Sequence, residues 1–157
     1  MNNLATVRDA LGALFAGVPA IGQVHTRERY MPMESKFRAL YLYTPDGGVA
    51  QVRGWWLRRV ATQERTLNLQ RVLNVHTWQV RGYMALNDDT NTEHEFDALI
   101  EAMRDAVRAD PTLGGVCMQN PADDADDGLQ VVESGPVMFC GVLCHGALLE
   151  MKTWSYL

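Results

Sequence analysis

Two cysteines and a histidine near the end of the chain are the residues best suited to bind a metal ion. Cys140, Cys144 and His145 are close in sequence, and zinc is usually bound by thiolate sulfur and imidazole nitrogen. The apolar run 137–151, however, predicts one long strand, in which the two cysteines lie about 13 Å apart. Zinc ligands lie about 2.0–2.3 Å from the ion, and His145 would point away from Cys144. We therefore expect buried cysteines and no metal site.

The remaining reactive residue types give no sign of a catalytic site. A cysteine or serine nucleophile needs a neighbouring base, yet the four histidines are scattered, at positions 25, 76, 94 and 145. The glycine pair 114–115 follows a helical segment instead of opening one, which is typical of a chain reversal and not of a phosphate-binding loop. We predict no catalytic residue and no cofactor.

The densest acidic segment of the chain is residues 123–127, which hold four aspartates. A calcium-binding loop needs acids or amides at its first, third and fifth positions and glutamate at the twelfth. Counted from Asp123, the third position is Ala125 and the twelfth is Ser134. The segment therefore predicts a solvated loop without a calcium ion.

The charge balance and the cysteine count exclude several classes of protein. The 157-residue chain has a net charge of −5, so it lacks the overall basic character of most nucleic-acid-binding proteins. A concentration of arginines between positions 27 and 81 still leaves a local basic patch open. Three cysteines without a signal peptide argue against a disulfide framework, and no apolar run reaches the ~20 residues of a membrane span. We expect the protein to be kept in a reducing cytoplasm until it assembles, and we expect no membrane partner.

Two segments have the apolar periodicity of helices. Residues 4–15 and 92–109 both repeat apolar side chains at steps of three and four, which predicts one buried stripe on each helix. Thr92 and Glu95 also have the spacing of a capping box, in which a hydroxyl and a carboxylate satisfy backbone donors at the helix start.

Two long strands joined by a polar segment dominate the middle of the chain. Residues 49–62 and 72–86 have strand-like alternation, and the first carries large side chains on both faces, so we expect it to be covered on both sides. Because residues 63–71 between them are polar, we predict a hairpin that reaches beyond the body of the domain.

The other segments predict shorter strands and turns. These are a strand at 21–30, an ambiguous helix or strand at 34–43, turns at 45–48 and 134–136, and strands at 129–133 and 137–151. The chain as a whole is predicted to be one α+β domain, residues 1–157, with two helices packed on a mainly antiparallel sheet of about four to six strands.

Several segments together resemble a known family of virion proteins. They are residues 18–24 (VPAIGQV), 27–30 (RERY), 53–59 (RGWWLRR), 76–84 (HTWQVRGYM), 96–104 (FDALIEAMR), 111–115 (PTLGG) and 137–145 (VMFCGVLCH). The pattern is similar to the tail terminator, or tail completion, proteins of long-tailed bacteriophages, the siphophages. It covers most of the chain and consists of structural residues, not of a catalytic motif.

The resemblance implies a tail-terminator-like fold and a structural role. It implies a homohexameric ring that caps the head-proximal end of the tail tube, stops its polymerisation and joins the tail to the head. The partners would be further copies of the chain, the major tail tube protein and a head-tail connector or stopper protein, while genomic DNA passes through the lumen without specific binding. The alternatives are another neck component, such as a head completion or connector protein, and a small cytoplasmic enzyme.

Five residues are candidates for the subunit or tube interface of such a ring. They lie in the predicted hairpin tip and at the end of the chain: Leu67, Leu69, Arg71, Trp154 and Tyr156. Aromatic residues are enriched in interfaces, although a solvated tip and a terminus that docks on its own subunit remain open. The apolar strand at 137–151 is a further candidate, for which ordinary core is the alternative.

Overall fold

The structure, a computed structural model, describes residues 4–121 and 127–157, without the side chain of Leu67. Within these ranges there are three helices: α1 (Leu4–Ala16), α2 (Glu34–Ala39) and α3 (Thr92–Ala109), with a 3-10 helix, Asp88–Thr90, before α3. There are six strands: β1 (Gln23–His25), β2 (Leu42–Tyr43), β3 (Gln51–Asn68), β4 (Arg71–Ala85), β5 (Gln130–Phe139) and β6 (Val142–Tyr156). The predicted α+β class is confirmed. Three of the four aspartates of the acidic segment, at 123, 124 and 126, lie outside the described residues.

The strands form one sheet in the order β1-β3-β4-β6-β5, with β2 also pairing with β3. The pairing of β1 with β3 is parallel, whereas the other pairs are antiparallel. β3 and β4 are joined by a two-residue turn, since Asn68 pairs with Arg71. The sheet therefore ends at β5 on one side and at β3, partly covered by β1, on the other.

Helices α1 and α3 cover one face of the sheet and bury its main core. Trp55 stacks on Phe96 of α3 at 5.5 Å between ring centroids, and its indole nitrogen donates to the carbonyl of Ile21 at 2.9 Å. Trp78 likewise donates to the hydroxyl of Thr153 at 2.9 Å. Burial of a large apolar side chain stabilises the fold by about 1.5–3 kcal/mol, and these hydrogen bonds avoid the cost of an unpaired buried donor.

Helix α2 covers only one end of the opposite face. There Tyr41 packs at 4.9 Å from the ring of Phe139, and the rings of Tyr83 and Phe139 stack at 3.8 Å. Val52, Trp56 and Cys144 complete this smaller cluster. The prediction that the strand at 49–62 is covered on both faces is confirmed for residues 52–57, which are all buried.

The helix predictions from periodicity are confirmed. Both helices begin where predicted, and α3 ends at Ala109 as expected. The buried stripe of α3 includes the residues predicted for it: Phe96, Leu99, Ile100, Met103 and Val107. The turn at 45–48 is also present, with the amide of Gly48 bonded to the carbonyl of Pro45 at 2.9 Å.

The predicted capping box at the start of α3 is wrong. The N-cap is Asn91, in the left-handed region with φ 56°, and it makes no side-chain capping bond. The hydroxyl of Thr92 instead accepts from the amide of Asn87 at 2.9 Å and lies 2.7 Å from Nε2 of His145. Glu95 is bound by the buried guanidinium of Arg53 at 2.8 Å. Both side chains therefore bind residues distant in sequence instead of capping the helix.

The turn predicted at 134–136 and the single strand predicted at 137–151 are also wrong. Residues 134–136 lie inside β5, and the chain reverses instead at Cys140 and Gly141. Both of these residues have positive φ, 52° and 74°, as a two-residue hairpin turn of type I′ requires. Residues 137–139 consequently belong to β5 and residues 142–156 to β6.

Three other boundaries differ from the sequence prediction. The strand expected at 21–30 is only Gln23–His25, and the ambiguous segment 34–43 contains both a short helix and a short strand. The polar segment 63–71 is mostly strand, because residues 63–66 pair with residues 72–75 of β4. The hairpin therefore keeps its ladder almost to its tip.

Candidate subunit interface

The outer half of the β3–β4 hairpin differs in its surroundings from the inner half. We call residues 58–76 the arm. Every described side chain from 58 to 70 is exposed, whereas residues 52–57 of the same strand are buried. The helices and β1 cover only the inner half, since β1 pairs with β3 no further than Trp56. The predicted hairpin thus carries side chains that the chain's own core does not use.

The arm has an open strand edge along β3. The amide of Leu157 donates to the carbonyl of Val72 at 3.0 Å, so Val72 directs its backbone groups toward β6. Backbone direction alternates along a strand, and the β3 residues opposite Val72, Asn74 and His76 therefore point away from β4. These residues are Thr66, Glu64 and Thr62. Within the described residues no strand pairs with this edge, so its N–H and C=O groups are available to another chain.

The opposite edge of the sheet, along β5, is blunted. By the same alternation, β6 residues 144, 146 and 148 face β5, so Pro136, which lies opposite His145, points its backbone outward. Proline has no N–H to donate, which limits strand pairing at this edge. A register shift, which β5 has between Val131 and Glu133, does not distinguish the two edges, because β3 has such shifts at 59–61 and 66–68, on either side of its open stretch. The exposed side chains of Val132 and Met138 nevertheless make this edge apolar.

The five predicted interface residues fall into different surroundings. Leu69 lies in the turn at the tip of the arm and is fully exposed. Arg71 lies 5.2 Å from the ring centroid of the partly exposed Tyr156. Trp154 is only 7% exposed, and it packs in the chain's own cluster with Leu73, Val75 and Met118. The side chain of Leu67 lies outside the described residues.

The thiols have surroundings that disfavour their reactive form. Burial raises the pKa of Cys144 to about 11. It raises the pKa of Cys117 to about 11 as well, despite a hydrogen bond with Thr153 that lowers it. Burial also raises the pKa of Cys140. The nucleophile is the thiolate, so these cysteines are protonated at neutral pH.

The metal-ligand geometry argued from one long strand needs correction. Because Cys140 lies in a hairpin turn, it is not separated from Cys144 by a straight run of strand. The opposite orientation of Cys144 and His145 is confirmed: Cys144 packs in the cluster beneath α2, whereas His145 stacks on Phe96 at 5.8 Å. Nowhere in residues 4–121 and 127–157 do three potential metal ligands come together.

Thr92 and His145 form the closest pair of polar side chains that resembles a catalytic dyad. The Thr92 hydroxyl accepts from the amide of Asn87 and lies 3.2 Å from the carbonyl of the same residue and 2.7 Å from His145 Nε2. In the tautomer of His145 with its proton on Nε2, the hydroxyl accepts from the imidazole and donates to that carbonyl, which uses every hydrogen-bonding site of the hydroxyl. Thr92 is also buried, and its contact with His145 joins α3 to β6.

No protein-family profile matches the chain, and no curated protein matches it either. Among the described residues, no helix has the length and apolar character needed to cross a membrane.

Proposed function

We propose that this chain is a tail terminator of a long-tailed bacteriophage, a structural virion protein without catalytic activity. It forms a homohexameric ring at the head-proximal end of the tail, assembled in the cytoplasm of the host. The ring stops polymerisation of the major tail tube protein and joins the tail to a connector or stopper protein of the head. The resemblance of segments such as 76–84 and 96–104 supports this proposal.

The observation that carries the proposal is the pair of unlike edges on one sheet. A head-to-tail ring uses two different patches on each subunit, and it closes when the rotation between copies does. The arm offers an open edge at one end of the sheet, and β5 offers a blunted apolar edge at the other. In the ring, the arm of one copy reaches the β5 side of the next.

The size and charge of the chain suit a ring around DNA. A domain of this length has a radius of gyration of ~15 Å, equivalent to a sphere roughly 39 Å across, and six touching spheres leave a hole of the same width. Loops can narrow that hole and still admit duplex DNA. Because each copy carries −5, the ring gains little from counterion release, and the genome passes without specific binding.

Particles made without this protein test the proposal. We expect headless tails whose tubes vary in length, because nothing ends polymerisation, and restored uniform length when the protein is supplied. Electron micrographs measure both. Tails of uniform length that merely fail to join heads would contradict a terminator and favour another neck component.

A proline at the open edge tests the role of the arm. Glu64 directs its N–H outward, so Glu64→Pro removes a donor from the edge without breaking the ladder with β4. We expect a folded protein that no longer forms rings, with Glu64→Ala as the matched control that does. If proline unfolds the arm, a single lysine, Thr66→Lys, blocks the same edge without removing a side-chain contact of the groove arginines. Normal rings from a folded blocked variant would remove the arm from the interface.

A further inference from the structure

A groove lined by four arginines lies beside the open edge of the arm. It has a volume of about 510 Å³, and its basic residues come from three separate parts of the chain: Arg8 from α1, Arg27 from the loop after β1, and Arg58 and Arg59 from β3. Asp9 and Glu28 are the acids in its lining. The groove lining thus carries +2 in a chain whose net charge is −5.

Two of the arginines are held in place by neighbouring side chains. Arg58 lies 5.4 Å from the ring centroid of Trp56 and forms an ion pair with Glu28 at 3.3 Å. Arg59 donates to the hydroxyl of Thr62 at 2.7 Å. Among the described residues, only Arg58 of the four has an ion pair. Guanidinium groups held in position lose less entropy when they bind a carboxylate, which they can do through two hydrogen bonds.

The chain itself contains a segment with matching charge. Residues 123–127 carry four aspartates, one for each arginine of the groove. The last of them, Asp127, is exposed and accepts a hydrogen bond from the amide of Asn120 at 2.8 Å. It lies three positions before β5. The acidic segment therefore leads into one edge strand of the sheet, whereas the groove lies at the other edge.

We propose that the acidic segment of one copy occupies the arginine groove of the next copy in the ring. This inference rests on the proposed function, because only a head-to-tail arrangement brings the β5 edge of one copy to the β3 edge of its neighbour. It identifies the contact that draws together subunits that otherwise repel one another by their net charge. Ion pairs between such patches chiefly set partner choice and the rate of encounter.

A second copy is the occupant that the proposed ring supplies. DNA phosphates and aspartates would both meet the carboxylates of Asp9 and Glu28 as well as the arginines, and both would approach a chain that is acidic overall. The aspartate segment is favoured because it precedes β5, the edge strand that the head-to-tail arrangement brings to the β3 edge.

Mixing two reversed-charge variants tests the proposal. The groove variant is Arg58→Glu with Arg59→Glu, and the segment variant replaces the aspartates at 123, 124, 126 and 127 by lysine. Each variant alone brings like charges together, so we expect its assembly to weaken at least about tenfold. In a mixture of the two, every interface of an alternating ring joins opposite charges, and we expect rings to return.

Native mass spectrometry of the full chain, with and without isolated tail tubes, reads the composition of the rings. The charge-matched control, Lys36→Glu with Arg108→Glu, alters exposed positions outside the groove and should assemble as the wild type does. If the wild type forms rings and both variants form them equally well, or if mixing the two variants does not restore rings, this inference is overturned and the proposed function still stands. A wild-type chain that never assembles, even on tubes, would refute both.

A titration with duplex DNA covers the competing occupant. We expect the wild type to bind short duplexes weakly and the groove variant to bind them equally weakly. If the wild type binds duplex DNA and the groove variant loses that binding while still assembling normally, the groove serves nucleic acid and the inference is overturned.

Discussion

The two halves of the β3–β4 hairpin are both paired antiparallel, with register shifts only in the outer half, and their surroundings differ. In the inner half, Trp55 and Trp56 project to opposite faces of the sheet and both are buried by helices. In the outer half, the side chains of β3 are exposed and the strand edge is open. The comparison teaches that one continuous strand, β3, contributes side chains to the core along its inner half and leaves those of its outer half available for assembly. Substitutions in the two halves should therefore have separable effects.

The largest expected effect is in the inner half. Trp55→Ala removes a side chain that is almost wholly buried and whose indole nitrogen is hydrogen-bonded, so we expect a loss of about 3–5 kcal/mol in the free energy of unfolding. Chemical denaturation measures it. The matched substitution in the outer half, Thr66→Ala, should stay within about 0.5 kcal/mol of the wild type. Similar losses of unfolding free energy at both positions would contradict the view that only the inner half contributes to the core.

Trp154→Ala sharpens the comparison at the end of the chain. Because Trp154 packs on Leu73 and Val75, we expect about 1.5–3 kcal/mol of destabilisation, seen in the same denaturation experiment. Tyr156→Ala, two positions further along the same strand, serves as the control and should cost less. A folded, fully stable Trp154→Ala protein with an assembly defect would instead identify Trp154 as an interface residue.

A smaller effect is expected where the arm meets the last strand. Arg71→Ala removes the cation–π contact with Tyr156, which at an exposed site contributes about 0.5–1 kcal/mol. Arg65→Ala changes an exposed arginine of the same hairpin and should leave the midpoint of unfolding unchanged. Equal shifts of the unfolding midpoint in the two variants would show that the contact between Arg71 and Tyr156 does not contribute to stability.

The smallest effect is a pH dependence at the root of the arm. Burial, and to a lesser extent Arg59, lowers the pKa of His76 below its ordinary value of 6.5. The unfolded chain then binds a proton that the folded chain does not, so stability decreases as the pH falls below about 6.5 and is unaffected by His76 above it. His76→Gln should lose less stability than the wild type between pH 7.5 and pH 5.5. An identical loss in both proteins would assign the pH dependence to other groups.

Local periodicity predicted the helices, the strand faces and the α+β class, because each depends on side-chain spacing within one segment. The misplaced features depend on partners distant in sequence. At the start of α3, Thr92 contacts His145 and Glu95 contacts Arg53. Neither pairing leaves a trace in the spacing of neighbouring residues, so the capping box was plausible from sequence.

The wrong turn prediction at 134–136 has a different cause. Glycine and proline next to each other usually mark a turn, yet Gly135 and Pro136 lie within β5 because an edge strand tolerates a residue without an N–H donor. The actual reversal at Cys140 and Gly141 has weaker turn chemistry, since only one of its two residues readily takes positive φ. The open edge of β3, the basis of the candidate interface, could be recognised only from the pairing register.

The proline on β5 also affects whether free subunits can associate with one another by strand pairing. If both margins of the sheet could accept a strand, freshly synthesised molecules would template one another and grow into open-ended β-ribbons. Because Pro136 has no N–H, one of the two edges that such growth requires pairs poorly. Under the proposed function, subunits that cannot pair in this way stay dispersed until they meet a tail tube.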